Sequence, residues 1–469
     1  MNRPPDPGGL GALPRRERLA AIAAPALALA LGASVPRSRV SRLLIDGVIV
    51  GSLASALALR SSSRPRTIKP VGRLTDEPAD PAAKRSPRIH VLVPARNEAA
   101  VIGDLVRDLG DQDLRDDVGA PAFRVTIVDD RSTDGTGNVA QQAIRAAGLG
   151  AAASVLRRDG GHDGKGAALA TVSLDAMDDD AIVLVLDADA RLTPGTLAGI
   201  VDAFGDGVSA ITARRRTMLP PDGRRHWLAV WQDDEQTVDG AIQTARRHLG
   251  GAAELRGNGM AVRCSELRRI GGWDPDALCE DLEATTRLAV MGRKTGDIRW
   301  CPEVEIWEQP AIEARALLRQ RLRWAEGAIR RDLRVTWPAL FRAPMTARRR
   351  TDLAAYAAQM LVPWLALGLA TRSRQAPARD RLLALALAYV GGTGTIALLA
   401  LPSPARVPGV LAVGAIWPVV LPIAWLRVAL SRGPLSFART KHRAGFNPPA
   451  RPDGPAEADP RSPRANDRR

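Results

Sequence analysis

Carboxylates recur at the ends of short apolar runs. Asp187-Ala188-Asp189 follows the run 182–186, Asp129-Asp130 closes 125–128, and Glu98 stands just beyond 89–93. Gathered around one crevice, such charges would repel each other and lose solvation unless a cation or hydrogen-bond donors met them. An Asp-x-Asp pair on an extended segment places both side chains on one face, about 7 Å apart, where they could hold a hard cation against phosphate oxygens. Farther on, Glu280-Asp281 opens a stretch of helical spacing, 281–291. Read from position alone, acids there stabilise the positive end of a helix. Lys165 lies between Gly164 and Gly166, but Asp159 occupies the place where a phosphate-binding P-loop needs its first glycine.

These residues need a scaffold that brings strand ends together. Short runs rich in β-branched residues at 89–93, 125–128, 154–156 and 182–186 alternate with helical spacing at 98–109, 134–147 and 166–177. The alternation predicts an α/β fold: a mostly parallel sheet with right-handed crossovers, binding ligands at the carboxyl ends of its strands. Taken alone, Ser132, Asp134 and Gly135 are turn and cap chemistry. His162 reads as a loop residue and Arg214–Arg216 as a solvated basic face. Asp233, Asp234, Glu235 and Gln236 fall on a helix with no assigned role.

In order and spacing, these fragments resemble the family 2 glycosyltransferases, which have the Rossmann-like GT-A fold. The resemblance covers 88–335. It rests on Val93-Pro94-Ala95-Arg96-Asn97-Glu98, Val128-Asp129-Asp130-Arg131-Ser132-Thr133-Asp134-Gly135-Thr136 and Gly164-Lys165-Gly166-Ala167-Ala168-Leu169. Asp187-Ala188-Asp189, Gly271-Gly272-Trp273-Asp274, Glu280-Asp281 and Gln320-Arg321-Leu322-Arg323-Trp324 complete it. The last is similar to the Q-x-x-R-W signature of cellulose, chitin, hyaluronan and poly-N-acetylglucosamine synthases. The resemblance implies that Pro94, Glu98 and Asp130 line a nucleoside pocket and that Lys165 sits near the nucleotide. It implies that Asp187 and Asp189 hold Mg²⁺ or Mn²⁺ and that Asp281, beside Glu280, is the catalytic base. Gln320, Arg323 and Trp324 would cover the diphosphate and acceptor site. The implied partners are a nucleotide-sugar donor, expected to carry UDP, and a glycan or lipid acceptor.

The whole chain fits a membrane setting. Its 469 residues carry a net charge of +15 but only 4% aromatics. The basic residues concentrate in a linker, in the flanks of apolar stretches and in the tail, with few aromatics nearby for base stacking, which excludes a nucleic-acid partner. Three cysteines, an odd number with no C-x-x-C pair, exclude a disulfide framework or zinc site. Residues 1–60 hold two apolar stretches, 19–35 and 43–59, expected to anchor as a helical hairpin; 61–87 is a basic linker. Residues 336–432 contain the apolar stretches 352–370, 382–401 and 407–430, and 433–469 reads as a disordered basic tail. If all three stretches crossed a bilayer, the arginine-bearing loop 371–381 and the tail would lie opposite the catalytic zone, against the positive-inside tendency. Placing 352–370 at the interface would return both to the catalytic side. The expectation is a multi-pass protein of the cytoplasmic membrane, its catalytic domain facing the cytoplasm, building cell-surface polysaccharide or glycolipid. The alternative is a non-catalytic nucleotide-sugar-binding subunit working with membrane glycan-assembly partners.

Overall fold

A computed structural model describes residues 14–62, 89–205, 207–222, 226–291, 297–431 and 442–448. It opens with a hairpin of α1 (Arg15–Ser34) and α2 (Arg39–Ser62). An α/β unit follows: β1 (Ile89–Ala95), α3 (Ile102–Gly110), β2 (Phe123–Asp130), α4 (Thr136–Ala146), β3 (Ala153–Arg158), α5 (Lys165–Ala170) and β4 (Ile182–Val185). Next come α6 (Thr196–Ala203), β5 (Val208–Thr217), α7 (Trp227–His248), β6 (Met260–Arg263), α8 (Cys264–Arg269), α9 (Glu280–Met291), β7 (Asp297–Glu308) and α10 (Ala314–Arg331). A π-helical turn, Asp332–Thr336, leads into α11 (Trp337–Arg342). Then α12 (Ala347–Ala358), α13 (Val362–Ala370), α14 (Ala376–Ala400), α15 (Val407–Gly414) and α16 (Trp417–Leu430) complete the helical part.

The seven strands form one sheet in the order β3-β2-β1-β4-β6-β5-β7. Pairing is parallel except where β6 meets β4 and β5. Both faces are covered, so the central strands read as near-continuous apolar runs. Val91, Val93 and Ile127 pack under α3 and α4 on one face, while Leu92, Val183 and Val185 meet α8 and α9 on the other. Full burial of each such side chain is worth about 1.5–3 kcal/mol. The single reversed strand matters for the site. Because β6 runs against β4, with Met260 opposite Val185, its amino end lies beside the carboxyl end of β4.

Two helices are shorter than their spacing predicts. Residues 98–101 form a turn ahead of α3 because Asn97 takes the left-handed conformation (φ 58°) and the segment is tied to the loop after β2. Ser132 Oγ accepts from Asn97 N, Thr136 Oγ1 from Glu98 N, and Asp134 Oδ2 from Ala99 N. The Ser-Thr-Asp-Gly run is therefore a latch between two loops. The helix expected over 166–177 stops at Ala170, where Thr171 Oγ1 donates to Ala168 O and Ser173 Oγ accepts from Asp175 N, turning the chain out of the helix.

Among the described residues, four helical segments are long and apolar enough to cross a membrane: Arg15–Ser34, Ala347–Ala370, Ala376–Ala400 and Pro404–Leu430. The backbones of α1 and α13 nearly touch. A Cβ on Gly32 would run into the Leu365 carbonyl, and one on Gly368 into that of Leu29. Val35, Ile45, Leu369, Ala378 and Leu385 close the end of this bundle away from the sheet. The stretch 352–370, expected at the interface, divides: in α12, Asp352 pairs with Arg246 and Leu353 packs with Ala252 and Ala289, while α13 runs along α1, glycine at both crossing points letting the helices pack fully.

Candidate active site

Lys165, Asp187, Glu280 and Asp281 meet around the backbone of Gly257. Lys165 Nζ is 2.6 Å from Asp187 Oδ1, 3.1 Å from Glu280 Oε1 and 3.0 Å from Gly257 O. Gly257 N donates to Asp281 Oδ2 at 2.8 Å. A Cβ on Gly257 would stand 3.3 Å from both Lys165 Nζ and Glu280 Oε1. The elements explain the meeting: Asp187 follows β4, Gly257 and Asn258 precede the reversed β6, Lys165 opens α5, and the acidic pair opens α9. Gly166 is required beside Lys165, because a Cβ there would lie 2.6 Å from Asp274 O.

Burial alone would lower the pKa of Lys165, but the charges of Asp187 and Glu280 outweigh it and hold the ammonium firmly protonated. Burial would likewise raise Asp187, yet the Lys165 charge and hydrogen bond bring it below the usual carboxylate range. Glu280 is pushed up by burial, and the Asp281 charge adds to that rise while Lys165 opposes it. The two neighbours therefore differ in kind. Glu280, 6% exposed, is the partner of Lys165. Asp281 is partly exposed and held by backbone amides alone, Gly257 N on Oδ2 and Leu282 N on Oδ1 at 2.8 Å each. That fixes its direction while leaving lone pairs for an incoming hydroxyl.

The Asp-x-Asp pair lies in a turn just past β4, where Ala190 N donates to Asp187 O, so the strand alternation that would put both side chains on one face does not apply. Asp189 is buried; its Oδ2 accepts from Gln309 N at 2.9 Å, and burial raises its pKa. Among the described residues no three His, Cys, Asp or Glu side chains converge as a metal cage. One or two carboxylates fit a cation whose remaining ligands are phosphate oxygens and water, the usual environment of Mg²⁺.

Three participants have no clear signal in the sequence. Asn258 Oδ1 accepts from Asp187 N at 3.1 Å, and its Nδ2 donates to Glu308 Oε2 at 3.1 Å. Glu308, raised by burial, also accepts from Gln236 Nε2 at 2.8 Å. Third, within the stretch expected to be a disordered tail, residues 442–448 lie across the site. His442 Nδ1 is 2.9 Å from Glu98 Oε2, and its Nε2 is 3.7 Å from Asp189 Oδ2. Gln309 and Arg443 exchange hydrogen bonds, Asn447 bridges Leu219, and Phe446 is buried with Met218 and Trp307.

The other expected residues are placed as follows. Asp130, 5% exposed, accepts from Arg158 Nη1 at 2.8 Å and Arg131 Nε at 2.9 Å, so arginines already face the carboxylate assigned to the nucleoside. Pro94 is half-buried near the end of β1. Gln320, Arg323 and Trp324 lie on α10. Gln320 Oε1 accepts from Arg321 Nη1, and the Trp324 ring carries the Arg321 guanidinium 4.3 Å from its centroid and that of Arg215 at 5.7 Å. Arg215 is also 3.7 Å from Glu308, which links Trp324 to the Asn258–Asp187 side of the site. Arg323 acts electrostatically on Cys279, next to the acidic pair.

The basic run 214–216 is not a solvated face. The parallel pairing of β5 with β7 sets it against acidic residues, and Arg216 bonds Asp233 and Glu305 at 2.9 and 2.5 Å. The acidic residues of α7 thereby gain roles: Asp233 with Arg216, Asp234 with Arg406, Glu235 with the buried Arg321. His162 remains a loop residue, 2.8 Å from Asp276, and the three cysteines are free.

The chain is similar to known proteins in sequence and in fold. The family model described as "Glycosyltransferase like family 2" matches residues 87–327. A beta-monoglucosyldiacylglycerol synthase of Synechocystis sp. is 34% identical over 283 residues, 60% of this chain and 56% of the relative. One from Nostoc sp. is 31% identical over 278 residues, 59% and 56% of the two chains. The match thus spans about half the length of these curated relatives. Among solved structures, mannosyltransferase PcManGT from Pyrobaculum calidifontis, in complex with GDP-Man and Mn²⁺, superposes with a TM-score of 0.54 at 22% identity. That superposition covers 87% of this chain and 99% of the mannosyltransferase, a likeness of fold.

Proposed function

Because this chain belongs to the family 2 glycosyltransferases, we propose that it transfers a sugar from a UDP-sugar to a lipid acceptor at the cytoplasmic face of a membrane, with inversion. The observation that carries this reading is the convergence of Lys165, Asp187, Glu280 and Asp281 on Gly257. It joins a cationic point for a diphosphate to a fixed, partly exposed carboxylate. Asp281 takes the proton of the acceptor hydroxyl as that oxygen attacks the anomeric carbon, and attack opposite the leaving group converts an α-linked donor into a β-glycoside. Lys165, kept protonated by its two carboxylates, and Arg323 face the charge that develops on the departing nucleoside diphosphate. Asp187 and Asp189 would hold Mg²⁺ or Mn²⁺, which when bound offsets that same charge. A lipid rather than a free glycan is favoured because α10, which carries Gln320, Arg323 and Trp324, packs its Ala325 and Ile329 against the apolar α16. The glycolipid synthases named above agree with that choice.

The test is UDP release by detergent-solubilised protein from a panel of UDP-sugars, with lipid acceptors and with Mg²⁺, Mn²⁺ or EDTA. One sugar added to a lipid, dependent on metal and lost in Asp281→Asn, is the expected result. A ladder of products would replace the lipid glycosyltransferase with a polymer synthase. Nucleotide binding without any turnover would favour a binding subunit.

A further inference from the structure

The segment Pro404–Leu430 is the most apolar of the four that could cross a membrane, yet its contacts place it elsewhere. At its start, Arg406 pairs with Asp234 of α7 at 2.5 Å, and Gly409 lies directly on the Trp231 ring. At its end, Arg427 Nε is 2.5 Å from Glu326 of α10. About 30 Å of helix separates the two arginines, at 1.5 Å per residue, which is roughly the thickness of a bilayer's hydrocarbon core. A crossing would put them on opposite sides, but both hold carboxylates of the same α/β unit.

The packing agrees. Val420, Leu421, Ala424, Trp425 and Val428 meet Leu322, Ala325 and Ile329 of α10, Leu333 of the π-helical turn and Trp337 of α11, and, among the described residues, Ala20, Ala21 and Ala24 of α1 and residues 360–364 at the start of α13. These are the ends of the bundle nearest the sheet. The cluster at the far end is drawn entirely from α1, α2, α13 and α14 among the described residues. The chain after this segment provides an independent observation: residues 442–448 lie against Glu98, Asp189 and Gln309, on the side of the strand ends. The opposite face of α16 exposes Val419, Ile423, Leu426 and Leu430, spaced as one helical stripe.

We propose that Pro404–Leu430 does not cross the membrane. It lies flat in the leaflet nearest the active site, with the stripe Val419–Ile423–Leu426–Leu430 facing acyl chains and Arg406 and Arg427 clamping its ends to the catalytic unit. The crossings are then two hairpins, α1 with the apolar stretch 43–59 of α2, and α12/α13 with α14. Their even number returns the chain to the donor site, where His442 is found. The acceptor lipid accordingly reaches Asp281 along this ledge rather than through a channel. The inference rests on the membrane-bound reading given above.

In a full chain whose Cys264, Cys279 and Cys301 are replaced by alanine, single cysteines at Ser373→Cys, Ala405→Cys and Ser431→Cys, in intact cells, separate the possibilities. The probe is a membrane-impermeant maleimide that adds mass, and UDP release confirms that each variant is folded. Labelling of Ser373→Cys in sealed cells, with the other two reached only after permeabilisation, is the expected pattern. Labelling of Ser431→Cys but not Ala405→Cys in sealed cells would overturn the inference and leave the membrane-bound reading standing. No labelling at any of the three in sealed cells would overturn both. Nitroxides at Val419→Cys, Ile423→Cys and Leu430→Cys give a second readout. A flat helix sets all three at one shallow depth, about 5–10 Å into the leaflet, whereas a spanning helix spreads them over about 16 Å, which would equally overturn the proposal.

Discussion

At the scale of single residues, the site separates two acidic neighbours by what they touch. Asp281 is held by backbone amides and Glu280 by Lys165. Asp281→Asn should therefore keep the fold and the nucleotide while turnover falls roughly 10²–10⁴-fold, the usual contribution of a general base; UDP release and nucleotide binding on the same sample check it. Lys165→Met should act differently, weakening nucleotide binding itself, because Glu280 and Asp187 lose their cation in a crowded site and repel the diphosphate. Titration with UDP reads that loss directly. Much of this could be read from residue types. Carboxylates at the ends of apolar strands have few ways of being satisfied, so Asp187 and Asp189 stood out as candidates, and Glu280 and Asp281 did so by opening a helical stretch. Asn258, Glu308 and His442 did not, since a lone amide, acid or imidazole has meaning only once topology supplies its partners. Asp130 was legible as important but not as arginine-bound, because Arg158 reaches it from the neighbouring strand.

At the scale of elements, α10 is positioned by close contacts and buried charge. Gly327 lies so near Cys279 that a Cβ there would overlap the sulfur. Gly327→Ala should push α10 away from the loop bearing Glu280 and Asp281 and lower kcat, and adding Cys279→Gly should restore much of it; a structural defect unrelated to this contact would show no such rescue. Farther along α10, Arg331 pairs with Glu254 at 2.8 Å, and Arg256 does so at 3.0 Å. Burial would raise the Glu254 pKa, but Arg331, Arg256 and Arg246 bring it down from 4.5 to about 2. A depressed carboxylate contributes its stability above its unfolded pKa and loses it as pH falls toward the folded one. Glu254→Gln should therefore cost about 3 kcal/mol at neutral pH, from the size of the shift. Its Tm should approach that of the unaltered protein as pH drops from 4.5 toward 2. Helical periodicity revealed α10, yet not that Arg321, one of the two variable residues of its motif, is buried against Trp324 and Glu235.

At the scale of the whole molecule, distant parts of the chain converge on one crevice. Residues 442–448 are held by Phe446 in the pocket of Met218 and Trp307 and by the Asn447–Leu219 bridge. Phe446→Ala should loosen this strap and raise KM for the donor several-fold while the acceptor KM stays put; initial rates against each substrate distinguish the two. The helices long and apolar enough to cross a membrane show a similar convergence, and its consequence concerns how the protein is made. Gly32 and Gly368 hold α1 against α13 with almost no space between their backbones, though most of the chain separates them in sequence. A ribosome adding about 5–20 residues per second leaves the first hairpin without its partner for tens of seconds. Once inserted in a bilayer, its glycine-bearing face would meanwhile be open to any other small-residue helix. Biogenesis therefore depends on a delayed meeting, and a hairpin supplied as a separate polypeptide should still find the rest of the chain and co-purify with it.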